Sequence, residues 1–597
     1  MTGNGGALLA WITWGTLVVA CSPVAGMRGD APPVQGQTAA GVVHAPGQTQ
    51  GHFAVATAHP EATAAAIAAL QSGGSAADAL VAASLVLSVA TPQSTGIGGG
   101  GFAVVVAPDG NARAWDFREK APAATAVGDY LTPDGHLDAG RSQHHGLAIG
   151  VPGYVAGLWA LHQKYGKRPW ADDCAAAIKL AQSGVAVSPQ LAGAIASLWP
   201  ALNAEAKAVF GHDGRPLTAG AALVWPKLAA TLQAIAAGGP PAFYGGAVAA
   251  DIAAAAQAAG GKLTAADLAA YDVRELAPLR GEVFGHAAYT MPQPSAGGPQ
   301  LLAMAQWLGP WQAKGPNLRA YSNDPGWTAH ALAEAMRRSF LLRLAYSGDP
   351  AHPAEKLDDA YPPAVRQQMQ LSFDGRRATK TAELPAPSAL PKLETHQNTS
   401  HLSIVDGDGL AIASTHTVNM LLGSGIMAAA SGVLLNNEMD DFSYTTTDAN
   451  AYGLAGSVAN LARPNARPVS SMTPLVLMQG PVVAPGHPWM IIGAPGGTRI
   501  VTAVLQVVFR VAYTGWQLDT AVATTRVHHQ ALPDVVFVES GADGDQIASQ
   551  LIGLGHTVER RPPWCNVQAI VARPETDGAE QWFAVSDPRG EGLAAAR

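Results

Sequence analysis

The 597-residue sequence predicts an α+β fold from three observations. Ala-rich segments with helical spacing open the folded part near residue 60, and helical patterns dominate residues 150–345. Strand–turn–strand patterns lie near residues 102–117 and 402–414. Hydrophobic residues make up 48% of the chain and charged residues 13%, a composition that excludes disorder of the whole chain.

The charge and cysteine content exclude several functional classes. A net charge of −8 without a basic block argues against nucleic acid as the main partner. Three cysteines, Cys21, Cys174 and Cys565, are too few for a disulfide framework or a Cys-rich metal site. Cys174 and Cys565 could form one bridge or remain two buried thiols, and the sequence does not decide between these alternatives.

The N-terminus has the pattern of an export signal. Residues 7–21 are uncharged and apolar, but they are shorter than the roughly 20 residues of a bilayer-spanning helix. They end in Leu-Val-Val-Ala-Cys21, which resembles the lipobox of bacterial lipoproteins, in which the cysteine is acylated. Residues 1–6 lack the usual Lys or Arg, so a leader without lipidation is the alternative. We therefore expect 1–21 to be a signal peptide, with export to the periplasm or a membrane tether through Cys21.

The next segments are a tether and the first helices. Residues 22–50 are rich in Gly, Pro and Gln and predict a flexible tether. Residues 61–72 predict a helix that ends at two glycines, and Ser75 with Asp78 predicts a capping box that opens a second helix.

A glycine loop at residues 96–101 fits the GxGxxG pattern but lies in the wrong context for nucleotide binding. A dinucleotide fingerprint follows a strand and opens a helix, whereas this loop follows a helix and opens a strand at residues 102–107. We interpret it as a tight backbone turn. The adjacent His528 and His529 point to opposite faces if they lie on a strand, so we interpret them as structural and predict no metal site.

A second hairpin places two threonines together. Residues 346–397 are polar and Pro-rich and predict a connecting arm; strands at 402–405 and 410–414 then flank a turn at 406–409. If the turn centres on residues 407–408, Thr399 lies opposite residue 416 or 417. A strand-initial Thr can act as an N-terminal nucleophile once the chain is cut before it. Taken alone, Thr399 is better explained as an ordinary edge residue, and the sequon at Asn398 as accidental.

Many motifs in order give the chain a resemblance to the γ-glutamyltransferase (γ-glutamyltranspeptidase) family of N-terminal nucleophile hydrolases. The resemblance covers roughly residues 55–570. The blocks are HPEATAAAIAALQSGGSAADALVAASLVLSVATPQSTGIGGGGFAVVV from His59, DFREKAP from Asp116, VPG from Val151, YTMPQPSAGG from Tyr289, NTSH from Asn398, GSG from Gly423, LLNNEMDDFS from Leu434, RPVSSMTP from Arg467, GAPGGTR from Gly493 and RVHHQ from Arg526.

The resemblance implies a four-layer αββα sandwich made from one self-cleaving chain. The scissile bond would be Asn398–Thr399. Residues 51–398 would be the large subunit and 399–597 the small subunit, both within one αββα unit. The resemblance also implies a small-molecule γ-glutamyl substrate such as glutathione and no cofactor.

The resemblance assigns roles residue by residue. Thr399 matches the nucleophile, Thr417 the residue that hydrogen-bonds it, and Gly496 with Gly497 the oxyanion hole. The residues that match the glutamyl-binding positions are Arg118, Ser470 and Ser471 for the α-carboxylate, Asn419, Glu438 and Asp441 for the α-ammonium, and Tyr452 in a lid loop.

The expected activity is cleavage of γ-glutamyl amides through an ester on Thr399, with transfer of the acyl group to water or to an amino acid or peptide amine. Two alternatives remain open. A glutaryl (cephalosporin) acylase of the same family would not need Glu438 and Asp441, because a glutaryl group lacks the ammonium. A catalytically inactive lipoprotein that binds γ-glutamyl peptides would not need Thr399.

Overall fold

The structure of the protein is a computed structural model, which describes residues 49–311, 324–384, 399–446, 448, 456–574 and 580–597. These residues belong to one compact unit, which contains two seven-stranded sheets. The strands are β1 Thr49–Gly51, β2 Ala54–Thr57, β3 Gly100–Val106, β4 Ala112–Phe117, β5 Val185–Ala186, β6 Gly211–His212, β7 Arg215–Pro216, β8 Ala222–Leu223, β9 Arg274–Leu276, β10 Leu279–Val283, β11 His286–Thr290, β12 Ser400–Val405, β13 Ala411–Thr417, β14 Leu475–Met478, β15 Pro488–Gly493, β16 Val527–His528, β17 Val536–Glu539, β18 Val558–Arg561, β19 Gln568–Pro574, β20 Glu580–Ser586 and β21 Leu593–Ala596.

Helices cover the outer faces of both sheets. They are α1 Pro60–Gln71, α2 Ala76–Ala90, α3 Ala139–Gln143, α4 Tyr154–Tyr165, α5 Trp170–Ser183, α6 Pro189–Leu198, α7 Ala204–Val209, α8 Pro226–Gly238, α9 Pro241–Tyr244, α10 Gly246–Ala258, α11 Ala265–Ala269, α12 Gly297–Trp311, α13 Pro325–Tyr346, α14 Leu357–Ala360, α15 Pro363–Leu371, α16 Arg499–Val508, α17 Leu518–Ala523 and α18 Ala542–Gly553. Among the residues that the structure describes, no helix is both long and apolar enough to cross a bilayer.

The layer order follows from the alternation of side chains along each strand. In β3, Val104 and Val106 pack between the two sheets, whereas Val105 packs against the helices on the outer face. In the other sheet, Val476 of β14 faces the inter-sheet core and Leu477 faces the layer that contains α12, α13 and α16. The result is the expected α+β fold with four αββα layers.

The strand order interleaves the two halves of the chain. The first sheet runs β21-β2-β12-β13-β3-β4-β9 and the second runs β1-β20-β19-β15-β14-β11-β10. Strands β12 and β13, which follow Thr399, are hydrogen-bonded to β2 and β3, which precede it. A cut before Thr399 would therefore leave both pieces held in the same sheets by backbone hydrogen bonds.

Several local predictions are confirmed. Ser75 accepts hydrogen bonds from the backbone N–H groups of residues 77 and 78, and the Asp78 carboxylate accepts from the Ser75 N–H, which completes the predicted capping box. In the glycine loop, a Cβ on Gly98 would lie 2.1 Å from the Leu434 carbonyl oxygen, so this turn needs glycine for close backbone approach. Of the two alternatives left open for Cys174 and Cys565, the structure shows two separate, buried thiols.

Two predictions from the sequence were wrong in part. Residues 346–397 are not only a connecting arm, because α14 and α15 lie there and Met369 packs into the core. The helical assignment of residues 150–345 missed β10 and β11, which form one edge of the second sheet. Burial in the tertiary structure decided the state of these segments more than local composition did.

Candidate active site

Thr399 lies immediately before the central strand β12 and is buried, with 6% of its surface exposed. Ser400 pairs with His416 in the β12–β13 ladder, and this register continues to place Thr399 opposite Thr417. The prediction that Thr399 lies opposite residue 416 or 417 is therefore confirmed. Thr399 and Thr417 line the same cavity.

The Thr417 hydroxyl is held by the chain that follows β13. Its Oγ1 accepts a hydrogen bond from the Asn419 N–H at 2.8 Å, and the Asn419 side-chain amide donates to the Asn437 carbonyl at 2.9 Å. Asn419 has a φ of +71°, a left-handed conformation that Asn tolerates better than most residues. This turn holds the Asn419 side chain beside Thr417 in the lining of the cavity.

Gly496 and Gly497 occupy a turn just before helix α16. Their φ values are +132° and +56°, and a Cβ on Gly496 would lie 2.4 Å from the Cys565 Sγ. Only glycine fits this backbone without strain. Gly497 lines the cavity with Thr399, at a helix N-terminus where N–H groups and the helix dipole favour negative charge. The turn therefore has the position and local field that an oxyanion hole requires.

We expect Gly496→Ala to lower kcat by about 10²–10³-fold, the effect of losing one hydrogen-bond donor of an oxyanion hole. The KM for the amide substrate should change little, because this donor acts mainly in the transition state. The added Cβ forces the turn away from Cys565 and moves the N–H groups. Steady-state kinetics measures this on a γ-glutamyl anilide, the type of substrate that the resemblance implies. Gly110→Ala, at a positive-φ glycine of the β3–β4 turn, is the matched control; an unchanged kcat in Gly496→Ala would exclude this turn from catalysis.

The charged end of the cavity is built around Arg118, which follows β4 and is 1% exposed. Its guanidinium forms ion pairs with Glu438 and with Asp441, the latter at 2.5 Å. Burial alone would lower the pKa of Arg118, but the two carboxylates outweigh burial and raise it. One cation and two anions thus face the same buried space, which suits a ligand that carries both an anion and a cation.

Glu119 is a charged residue of this cluster that the sequence analysis did not assign. It is fully buried, and its Oε2 lies 3.9 Å from the Arg118 guanidinium. Burial raises the pKa of Glu119 to about 7, although Arg118 opposes this, and burial beside Glu119 raises the pKa of Glu438 well above its usual range. The ionisation of Glu119 is therefore coupled to that of Glu438.

Because the pKa of Glu119 is raised on folding, its ionisation costs stability as pH rises from about 4.5 to 7. Below that pH range the Glu119 carboxyl group is protonated in both the folded and the unfolded protein. Above it the group is ionised in both, and the loss of stability no longer changes with pH. We expect the Tm of Glu119→Gln minus that of the wild type to become more positive from pH 5 to pH 8. Scanning calorimetry measures it, with exposed Glu282→Gln as the control; a difference that falls with pH would contradict this account.

Ser470 and Ser471 also line the cavity, and a second arginine contacts them. Arg343 of helix α13 donates to the Ser471 Oγ at 3.0 Å and to the Ser470 carbonyl at 3.3 Å. Burial lowers the pKa of Arg343 to about 10, and Asp441 opposes that shift, so the side chain remains a cation at neutral pH. Arg343 was also missed from sequence, because nothing in the pattern of its helix distinguishes it from the other buried arginines there.

The structure brings most of the predicted residues to one place. The residues that line the cavity are Arg118, Arg343, Thr399, Thr417, Asn419, Glu438, Asp441, Ser470, Ser471, Met472, Gly497 and Ile500. Gly496 lies next to this set and lines a neighbouring cavity that also reaches Thr399. The predictions for Cys21, Asn398 and Tyr452 fall outside the described residues.

Two other clusters have the residue types of a metal site. His330, Glu334 and His556 form one, but Glu334 is paired with Arg337 and Arg338, whose charges would repel a cation. Asp78, His162 and Asp173 form the other, and there His162 Nε2 contacts the Arg168 carbonyl at 3.0 Å, so that nitrogen is a donor and not a free ligand.

His528 and His529 make structural contacts, as predicted. His528 contacts Thr502 and Gln530, and His529 contacts Asp534 at 3.2 Å and accepts from the Ala531 N–H.

A buried threonine at the start of a central strand, within an αββα sandwich and beside a glycine turn at a helix N-terminus, is the arrangement of an N-terminal nucleophile hydrolase. The profile of the gamma-glutamyltranspeptidase family matches residues 62–597. The chain belongs to this family and is an enzyme of the γ-glutamyltranspeptidase/glutathione hydrolase class.

Individual relatives agree with this assignment. The glutathione hydrolase proenzyme of Escherichia coli (strain K12) is 37% identical over 566 residues and the match covers 94% of each chain. The crystal structure of Helicobacter pylori gamma-glutamyltranspeptidase is 31% identical, with a TM-score of 0.51, over 55% of this chain and 93% of that chain. A cephalosporin acylase from Bacillus halodurans superposes with a TM-score of 0.77 over 93% of this chain and 98% of that one; at 23% identity it supports the fold alone.

Proposed function

We propose that the protein is a self-processing γ-glutamyltransferase and glutathione hydrolase whose nucleophile is Thr399. The observation that carries the proposal is the shared cavity: Thr399 and Thr417 line the same space as a buried cation that is paired with two acids. The substrates are γ-glutamyl amides such as glutathione, and the reaction is acyl transfer to water or to an amine.

Maturation uses the same hydroxyl as catalysis. Thr399 Oγ attacks the carbonyl carbon of Asn398, the C–N bond breaks, and the Thr399 nitrogen becomes a free amine while an ester forms. Water then hydrolyses the ester and releases the Asn398 carboxylate. The new α-amine, with an ordinary pKa of about 7.7–8.0, serves as the base for later turnovers.

In each turnover the α-amine takes the Thr399 proton as Oγ attacks the substrate's γ-carbonyl. The oxyanion develops at the Gly496–Gly497 turn. Hydrogen-bond donors there stabilise the transition state more than the bound substrate, because the negative charge develops on the way to the transition state. The leaving amine takes the proton and departs, which leaves a γ-glutamyl ester on Thr399. Water or a second amine then attacks the ester, and Thr417 holds the hydroxyl in line.

The charged end of the cavity recognises the amino-acid part of the substrate. Arg118, with the serines at 470 and 471, takes the α-carboxylate, and Glu438 with Asp441 takes the α-ammonium. The incoming carboxylate and ammonium replace the Arg118–acid contacts with new ion pairs, so the buried charges stay compensated. Asn419 supplies a further acceptor for the ammonium.

Recovery of the mature protein tests the maturation step. A denaturing gel should show two bands, the smaller with about one third of the 61.0 kDa precursor mass, and its N-terminal sequence should begin Thr399-Ser-His-Leu. An uncut chain would reject self-processing and would favour the inactive γ-glutamyl-peptide-binding lipoprotein.

The alternative function, a glutaryl acylase, concerns a substrate that differs from a γ-glutamyl amide only in lacking the α-ammonium group. A glutaryl substrate has no ammonium to pair with Glu438 and Asp441, so it leaves both acids without their expected partner. We expect the enzyme to release γ-glutamyl anilide faster than glutaryl anilide at equal concentration. Faster glutaryl release would assign the protein to the acylases instead.

We also propose that the protein is exported and tethered to a bacterial membrane through acylated Cys21, with residues 22–50 as the tether. The support is the apolar leader and its lipobox-like ending. Metabolic labelling with a fatty acid should mark the wild type but not Cys21→Ser, which should be recovered in the periplasm without the label. Equal labelling of both proteins would refute the tether.

A further inference from the structure

Arg343 differs from the neighbouring buried arginines of helix α13. Arg337 and Arg338 are both paired with one carboxylate of the same helix. Arg343 is 4% exposed, yet among the described residues it forms no ion pair, and its partners are the Ser471 Oγ and the Ser470 carbonyl. Buried charges in proteins are normally paired with an opposite charge. A buried guanidinium that lines the substrate cavity beside neutral partners therefore indicates that a ligand supplies the anion.

The contact with Arg343 also decides the role of the Ser471 hydroxyl. A guanidinium only donates hydrogen bonds, so the Ser471 Oγ, at 3.0 Å, is the acceptor. The hydroxyl keeps one hydrogen of its own, and none of the described residues accepts it. Ser471 lines the cavity, so this hydrogen is available to a ligand there. The neighbouring Ser470 is in the same state, because its Oγ accepts from the Met472 N–H at 3.2 Å.

The backbone of this segment is held independently of Arg343. The Ser470 N–H donates to the Pro294 carbonyl at 2.9 Å, and the Ala296 N–H donates to the Ser470 carbonyl at 2.8 Å. These two contacts remain when the guanidinium is removed. Loss of Arg343 should therefore disturb the Ser471 hydroxyl and the local charge more than the path of the chain.

The charge balance around the cavity favours a carboxylate as the missing anion. Arg118 contacts three carboxyl groups, those of Glu119, Glu438 and Asp441. A surplus of acids in a buried site repels an incoming carboxylate, since like charges repel strongly at low dielectric. Arg343 supplies a second cation to the same cavity and reduces that surplus.

We propose that Arg343 is a positioning residue for the donor's α-carboxylate and makes the enzyme select donors that carry one; this inference rests on the proposed function. Arg343 occupies one lone pair of the Ser471 Oγ and leaves the hydroxyl hydrogen for the carboxylate. Its charge offsets the surplus of acids, while Arg118 remains the bidentate partner of the carboxylate.

The test compares two competitors of γ-glutamyl-p-nitroanilide on the mature two-chain protein. L-glutamate carries the α-carboxylate, and 4-aminobutyrate is the same molecule without it. In Arg343→Met we expect the inhibition constant of L-glutamate to rise about tenfold, the effect of losing one hydrogen bond to a charged group. The inhibition constant of 4-aminobutyrate should stay close to the wild-type value, because this ligand has no group to place against Ser471.

Two further variants separate positioning from structure. Arg343→Lys keeps a cation and a donor, so it should bind L-glutamate more tightly than Arg343→Met does. Arg366→Met is the matched control: Arg366 is 5% exposed and donates to the Tyr361 carbonyl at 3.1 Å, but it does not line this cavity. It should leave both inhibition constants unchanged.

An equal rise for both ligands in Arg343→Met, or no rise for L-glutamate, would overturn the proposal. If the wild type releases no nitroaniline from the donor, the proposed function fails, which is a separate result. A crystal structure of the wild type with L-glutamate covers variants that do not fold or mature. The Ser471 Oγ should then lie within hydrogen-bond distance of both the α-carboxylate and the Arg343 guanidinium. A carboxylate bound away from Ser471, or an Arg343 that has left it, would reject the assignment.

Discussion

Thr399→Ala is expected to remain one uncut chain, with a single band on a denaturing gel in place of two, and to show no γ-glutamyl transfer. One hydroxyl serves both reactions, so its loss removes the self-cleavage and the nucleophile together. Loss of a catalytic nucleophile costs about 10⁴-fold or more in rate. The cavity keeps its walls, because Thr399 lies at the start of β12 and not within its ladder.

Gel mobility and γ-glutamyl anilide release measure the two effects separately. Thr399→Ser is the matched control, since it keeps a hydroxyl at the same place and should still be cut, though more slowly. Cleavage of the Ala variant at the same bond would show that another group, or another protease, performs maturation. Residual transfer close to wild type would remove Thr399 from the mechanism.

The second large effect is expected for Arg118→Met. Glu119, Glu438 and Asp441 then lose the cation that they share, and breaking a buried pair costs about 3–5 kcal/mol of stability. The substrate carboxylate loses its bidentate partner as well, so we expect donor kcat/KM to fall by about 10³-fold.

Arg113→Met is the matched control for this change. Arg113 lies on the same strand β4, but its side chain is 45% exposed and pairs with Glu275 at the surface. Arg118→Lys separates charge from geometry, because it keeps the cation and loses the planar fork. A donor KM that is the same in Arg118→Met as in the wild type would exclude Arg118 from substrate binding.

The part of the site that sequence could predict is the part with local signals. The turn at residues 406–409 sets the register of β12 and β13, and in an antiparallel ladder that register alone brings Thr399 to Thr417. The role of Gly496 and Gly497 was predicted from the family resemblance, and the structure adds the positive φ values of their turn before α16.

The missed residues have no such signal. Arg343 lies in α13 among other buried arginines, and only packing selects it to contact Ser471. Glu119 follows Arg118 directly in sequence, but only the fold shows that its carboxyl group is fully buried beside the Arg118 guanidinium. Long-range packing that no periodicity encodes is therefore what the sequence left undetermined.

The central claim is that Thr399, as the first residue of the small chain, carries the acyl group. Rapid acid quenching of the mature protein with γ-glutamyl-p-nitroanilide, followed by mass spectrometry of the two chains, tests it most directly. The account predicts that the small chain gains the mass of one γ-glutamyl group and that fragmentation places it on Thr399. A γ-glutamyl adduct on any other residue, or turnover with no adduct on the small chain under burst conditions, would contradict it.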